Sequence, residues 1–193
     1  MSQMPAALIN PAQAARRTAW PASFHAQGAL RREAMLAALP GAHYRYALEV
    51  GCGDGLLTQA LAPRCDRLLA IDQAQAALGQ AEARLRHMRH VRLACHRFPG
   101  DLQADAAQEG FDLMLLPDVL HGLDNKAMAQ AARLTRSLMT RGGHVQLIHA
   151  FHMPGCSQTG EDAAERFIAA LRSVAPVLLQ VRTADYRIDV LQL

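Results

Sequence analysis

Glu49 is followed within six residues by Gly51, Gly53 and Gly55, in the run Glu49-Val50-Gly51-Cys52-Gly53-Asp54-Gly55. Glycines let the backbone approach a bound molecule closely, and a helix that starts just after them presents unbonded N–H groups to it. The acid narrows the choice of ligand. A carboxylate two residues before the first glycine repels a pyrophosphate in a low-dielectric crevice and suits a ligand with a cationic end. The G-x-G-x-G spacing also departs from the G-x-G-x-x-G of dinucleotide loops, which disfavours a nicotinamide-dependent oxidoreductase.

Further along lie other groups that can do chemistry. Asp72 ends the apolar run LLAID, 17 residues beyond Gly55, where a carboxylate can take both hydroxyls of a ribose. Its structural alternative is capping a helix that begins near Gln73. Asp118 closes FDLMLLPD, where it can orient a ligand or cap the turn at Val119. Histidine ordinarily titrates near neutrality, which makes His121 and His149 candidate bases for an ammonium or a hydroxyl. Against this, His149 in an apolar run also reads as a packed histidine and His121 as a residue on an outer helical face. His149-x-x-His152 and His87-x-x-His90 lack a third convergent ligand, so no metal is predicted. Glu161, Asp162 and Glu165 are either an acidic wall for an amine or a cluster that favours a helix dipole.

These groups need strands to hold them. Tyr46–Val50, Leu68–Asp72, Val91–Cys95, Phe111–Pro117 and His144–Phe151 read as short buried strands, separated by helical periodicity such as Ala29–Leu39, QAQAALGQAEARLRHM and MAQAARLTRSLM. Pro40-Gly41 stops the first helix, and Arg141-Gly142-Gly143 is expected to turn the chain into the fifth strand. Helical crossovers imply parallel strands with both faces covered. Val177–Arg182 and Tyr186–Leu193 are joined by only three residues, which fits a hairpin and not a crossover. The expected fold is α/β, Rossmann-like, a seven-stranded mostly parallel sheet with an antiparallel C-terminal hairpin and helices on both faces. Residues 1–28 read as an N-terminal arm and possible lid, and residues 29–193 as a single domain.

Composition removes several functions. A chain of 193 residues, 51% hydrophobic and 19% charged, can bury one core without disulfide staples. Cys52, Cys65, Cys95 and Cys156 form no C-x-x-C pair. No apolar run is long enough to span a bilayer, and the N-terminal residues lack a signal-peptide pattern, so a cytoplasmic location and no membrane partner are expected. The net charge of +3 is spread along the chain with Lys126 as the only lysine, so nucleic acid is not an expected partner.

The glycine run resembles the E/D-x-G-x-G-x-G loop of the class I S-adenosylmethionine-dependent methyltransferases. From Ala29 to Leu193 the chain carries further landmarks of that family, most like the small nodulation N-methyltransferase group, which methylates an amine on a chito-oligosaccharide. The resemblance implies that Glu49 offsets the amino group of the methionine moiety. It also implies that the bare backbone of Gly51, Gly53 and Gly55 lies against the nucleoside, that Asp72 takes the ribose hydroxyls, that Cys52 and Gln73 are among the cofactor-binding residues, and that Asp118 holds the methionine end or orients an amine. The family's acid after the third strand is missing from Cys95-His96-Arg97-Phe98. His96, a backbone carbonyl or Asp101 can replace it, and Phe98 can cover the adenine face. The implied activity is methyl transfer from S-adenosylmethionine, with S-adenosylhomocysteine as product, to a small-molecule or saccharide acceptor. An amine is preferred over a hydroxyl, with Asp118, His121 or His149 as catalytic residues, in a monomer or homodimer. The alternative is a catalytically silent, methyltransferase-like nucleoside-binding or scaffold module.

Overall fold

The computed structural model of the chain describes residues 22–102, 109–151, 158–171 and 173–193. His152 and Cys156, together with the arm up to residue 21, lie outside the described residues. In chain order the elements are α1 (Ala22–Ala37), β1 (Tyr44–Val50), α2 (Leu56–Leu61), a 3-10 turn (Ala62–Arg64), β2 (Cys65–Asp72) and α3 (Gln75–Leu85). There follow β3 (Val91–Cys95), β4 (Phe111–Pro117), α4 (Asn125–Leu138), β5 (Met139–Ala150), α5 (Gly160–Leu171), β6 (Val177–Arg182) and β7 (Tyr186–Gln192).

The seven strands form one sheet in the order β3-β2-β1-β4-β5-β7-β6. β1 pairs in parallel with both β2 and β4, so the direction of winding reverses there and opens a crevice at their carboxyl ends. β7 runs antiparallel to β5 and β6, as the three-residue link requires. Alternation along the strands feeds two cores. Ala47, Leu113, Leu115, Ile148 and Ile188 pack with Met35 of α1 and Leu57 of α2 on one face. Leu48, Met114, Leu147 and Leu191 pack with Ala131 of α4 and Phe167 of α5 on the other. This places helices on both faces.

β1 and β2 begin two and three residues before their expected starts, at Tyr44 and Cys65, and two further boundaries differ by more. α1 begins at Ala22, seven residues before the expected start, so part of the expected arm is continuous with the helix. Arg141-Gly142-Gly143 lies inside β5 and does not precede it. Between the pairs Phe111↔Met139 and Leu113↔His144, β5 takes three residues more than β4, and Gly142 with φ 81° absorbs the bulge. The glycines thus bend a strand that has already begun. α4 is capped by Asp124, whose Oδ1 accepts from Ala127 N at 2.7 Å.

Candidate active site

The glycine loop is closed by its own backbone. Gly51 N and Cys52 N both donate to the Ile71 carbonyl, at 2.7 and 3.0 Å, which ties the end of β1 to β2. Gly51, Gly53 and Gly55 have φ of 78°, 57° and 80°, the left-handed region that glycine alone enters without strain. Their roles divide. A Cβ on Gly55 would stand 3.0 Å from both Ala81 Cβ and Leu85 Cδ1, so this glycine lets α3 approach. A Cβ on Gly53 would meet no described residue within 4 Å, so this glycine leaves room for a ligand. Cys52 contributes backbone to the loop while its buried side chain packs with Ala70 and Leu78. Arg84 of α3 clamps the loop, its Nε donating to Asp54 O at 2.9 Å.

Asp72 organises the loop as well as facing the crevice. Its Oδ2 accepts from Gly53 N and its Oδ1 from Ala74 N, both at 2.9 Å. It does not cap α3. That position belongs to Ala74, which makes no side-chain capping bond, so the capping reading gives way to a brace between two loops. Each carboxylate oxygen retains a second lone pair for a hydroxyl. Gln73 is exposed beside it, its carbonyl facing Cys95 Sγ at 3.7 Å.

Glu49 stands on β1 with 1% of its surface exposed, level with Ala70 of β2 and Leu115 of β4. Burial pushes its carboxyl up to about 8; the Thr58 hydroxyl opposes the rise, and the Asp72 and Asp54 charges add to it. Thr58 nonetheless lies outside hydrogen-bond geometry, since its Oγ1 and Glu49 Oε2 both lack a partner among the described residues. A buried carboxyl oxygen with no donor is costly unless something arrives to fill the place.

At the outer end of the crevice, Asp101 is committed to Arg97, accepting from its Nε at 3.0 Å and from its Nη2 at 2.8 Å. That pairing holds its carboxyl down at about 2. His96 N donates to Asp72 O at 3.1 Å, and Phe98 is half-buried against the larger core.

Asp118 at the end of β4 is the sole non-glycine residue with positive φ among the described residues, at 53°. Such a conformation costs of order 1 kcal/mol and persists only where surroundings enforce it. Here the enforcement is visible: Oδ1 accepts from Ala150 N at 2.9 Å and Oδ2 meets Arg31 Nη1 of α1 at 2.5 Å. Asp118 therefore joins β4, β5 and α1 and does not cap the turn at Val119. Burial alone would raise its carboxyl, but the Arg31 guanidinium, followed by His149 and the Ala150 N–H, brings it down to about 2. Arg31 also lies 5.6 Å from the Tyr186 ring centroid, and its Nε and Nη2 are buried without partners among the described residues.

His121 and His149 are brought together, their ring centroids 5.0 Å apart. His121 Nε2 lies 3.0 Å from the Ala150 carbonyl, which can only accept, so Nε2 carries the hydrogen and Nδ1 holds a free lone pair. Gly160 makes room for this bond, since a Cβ there would fall 2.8 Å from His121 Nε2. His149 is fully buried, both ring nitrogens lack partners, and burial pushes its imidazole down to about 3 against the pull of Asp118. It stays neutral across the physiological range, which makes it a weak base.

The acidic wall is neutralised. Glu165 accepts from Arg187 Nη1 at 2.5 Å, Glu161 pairs with Arg182, and the buried Arg187 is bidentate on Asp189 at 2.6 and 2.9 Å. Asp162 forms a capping box with Thr159, whose Oγ1 donates to it at 2.7 Å and accepts from its N–H at 3.0 Å. Asp162 thus serves the first turn of α5, as the helix-dipole reading expected, through a capping box that the sequence reading did not foresee, and the amine-binding reading loses its free charges. The residue that sequence reasoning missed is Arg31, which lies in the expected helix Ala29–Leu39 and was given no role there. The one available signal was an arginine pair on a helix that must cross the strand ends.

The chain's likenesses agree with this geometry. A family described as a methyltransferase domain matches residues 48–145, just over half of the chain. Nodulation protein S of Sinorhizobium fredii is 32% identical over 127 residues, which is 65% of this chain and 56% of that protein. A ubiquinone biosynthesis O-methyltransferase of Alkalilimnicola ehrlichii is 32% identical over 116 residues, 60% of this chain and 46% of that protein. The matches thus span about half the length of these relatives. Among solved structures, the N-methyltransferase NodS of Bradyrhizobium japonicum superposes with a TM-score of 0.73 at 26% identity, covering 86% of this chain and 95% of that one. The same protein with bound S-adenosyl-L-homocysteine gives 0.70 at 24% identity, covering 84% and 85%. With the E-x-G-x-G-x-G loop at the winding reversal, these matches make the chain a member of the class I S-adenosylmethionine-dependent methyltransferases, near the nodulation protein S group.

Proposed function

We propose that this protein transfers a methyl group from S-adenosylmethionine to an amine, or less readily a hydroxyl, of a small-molecule or saccharide acceptor. The observations that carry the reading are the buried Oε2 of Glu49, without a partner among the described residues, and the open space at Gly53 in the loop that follows it. The residues present fit the cofactor. Arg31 Nε and Nη2 want an anion and Glu49 wants a cation, which matches the two ends of an α-amino acid. Asp72 has lone pairs left for ribose hydroxyls, and Phe98 offers an aromatic face for adenine.

The cofactor supplies a methyl on a sulfonium, which is already activated, so the protein's task is to orient the acceptor and remove its proton. Arg31 holds the carboxylate end, and Asp118 keeps Arg31 aimed while Ala150 N–H fixes Asp118. Paired in this way, Asp118 is an orienting group and not a base. His121 takes the acceptor's proton at Nδ1, the tautomer being set by the Ala150 carbonyl. His149, neutral beside it, keeps a second charge out of that space. The N-methyltransferase named for Bradyrhizobium supports an amine acceptor, and the ubiquinone O-methyltransferase relatives keep a hydroxyl in the panel.

Calorimetry against S-adenosylmethionine, S-adenosylhomocysteine and NAD, with methyl transfer to amino sugars, alkylamines and phenols, tests the proposal. Binding of the two sulfur nucleosides and transfer to an amine is the expected result. Tight binding of NAD alone would overturn it.

A further inference from the structure

We propose that Glu49 waits in the ligand-free pocket as a neutral acid and releases its proton to solvent when a nucleoside bearing an ammonium group binds. The inference rests on the cofactor reading above and extends it to how the pocket recognises one end of that molecule. Glu49 is 1% exposed, its strand neighbours Ala70 and Leu115 are apolar, and its Oε2 has no donor. The charged groups that face it are Asp72 at the end of β2 and Asp54 in the loop, both acids, while α2 offers only the Thr58 hydroxyl. The arginines nearest the crevice are paired with other acids and not with Glu49. Arg84 is bonded to Asp54 and Arg31 to Asp118, and no described residue forms an ion pair with Glu49.

A carboxylate buried without a cation and flanked by two other acids is unfavourable, so the proton stays on. The direction of its acidity, raised by burial to about 8, agrees. When an ammonium occupies the place beside Oε2, it supplies the missing donor and the missing charge. The O–H bond of Glu49 breaks, the carboxylate pairs with the ammonium, and the proton passes to the buffer. If the amine gave up the proton instead, the count would be the same, one proton per ligand. Affinity should then rise with pH below about 8, where the free protein still holds the proton. A sulfur nucleoside without the amino-acid portion has nothing to displace that proton. Glu49 thereby favours the amino-acid-bearing nucleoside increasingly as pH rises.

Calorimetry of S-adenosylhomocysteine at pH 7 in phosphate and in Tris, two buffers of different ionisation enthalpy, counts the protons directly. The expected result is close to one proton released per ligand and binding roughly tenfold tighter at pH 7 than at pH 6. 5′-Methylthioadenosine, which lacks the ammonium, should release none from this site and bind with little pH dependence. The Glu49→Gln variant should bind S-adenosylhomocysteine without proton release. Binding of S-adenosylhomocysteine with no proton released, or equal release with 5′-methylthioadenosine, would overturn the proposal and leave the cofactor reading standing. Failure of the wild-type protein to bind S-adenosylhomocysteine at all would overturn both. Should Glu49→Gln not fold, the two nucleosides on the wild-type protein still decide.

Discussion

At the carboxyl ends of β1 and β2 the backbone N–H groups of Gly51, Cys52, Gly53 and Ala74 already have partners, and what remains unsatisfied is oxygen: Glu49 Oε2 and Thr58 Oγ1. At the ends of β4 and β5 the unsatisfied atoms are all nitrogens, on Arg31, His121 and His149. The first region is a finished cradle that lacks a cation. The second is held by the Arg31–Asp118 pair and has spare donors and lone pairs. A loop built from one short motif can be complete in itself, whereas a site assembled from α1, β4, β5, β7 and α5 depends on charges that must find one another across the fold. The two regions should therefore fail in different ways when altered.

Arg31 should give the largest effect. Arg31→Met removes both free N–H donors and leaves Asp118 without its cation, so S-adenosylhomocysteine should bind roughly 10- to 100-fold more weakly. 5′-Methylthioadenosine, with no carboxylate, should bind as before. Equal losses for both nucleosides in calorimetry would mean that Arg31 supports the fold of the crevice and holds no carboxylate.

Asp72→Ala comes next, because it strips the brace from Gly53 N and Ala74 N as well as any ribose contact. S-adenosylhomocysteine binding should weaken by about 1 to 3 kcal/mol while circular dichroism stays native. Unchanged affinity would confine Asp72 to bracing the loop.

The glycines separate folding from binding within the same loop. Gly55→Ala should lower stability by about 1 to 3 kcal/mol in urea titrations, since its Cβ meets α3 and its φ is 80°. Gly53→Ala, with open space around the new methyl, should cost only about 1 kcal/mol of stability and show its effect chiefly in weaker cofactor binding. If both variants lost stability equally, the division between packing and ligand clearance would be wrong.

The same contrast decides what could be read from the sequence. The glycine loop, Asp72 and the succession of strands along the chain follow from local patterns, because a ligand loop at the end of a strand needs its glycines and its acid within a few residues. The closing hairpin was equally legible, since three residues cannot form a crossover. The position of Arg31 was not. A helix that precedes the sheet gives no local sign of which strand end it will reach, and its arginine differs from a solvated one only after packing. The bulge in β5 was hidden for a related reason. A Gly-Gly pair has the same composition whether it turns the chain or bends a strand, and the pairing of β5 with β4 decides which.

The smallest effect at neutral pH, and the one that most sharpens the comparison, concerns how stability varies with pH. Glu49 and His149 are both buried ionisable groups, one in each region, and their acidities move in opposite directions. For Glu49 the folded value, about 8, lies above the ordinary 4.5, so its contribution to stability is fully present at low pH and is lost as pH rises from there through 8. For His149 the folded value, about 3, lies below the ordinary 6.5, so its contribution is present above 6.5 and is lost as pH falls toward 3. His149→Leu should then flatten the acid limb of a urea-midpoint profile between pH 6.5 and 4 and leave the limb above 7 unchanged. At pH 7 the variant should be within about 1 kcal/mol of wild type, because both nitrogens it removes lack partners and the volume change is small. An acid limb as steep as the wild-type one would mean that His149 is not held neutral by burial. A loss of several kcal/mol at pH 7 would mean that its nitrogens have partners in solution, such as a shared water with His121 Nδ1, and that the second region is as complete as the first.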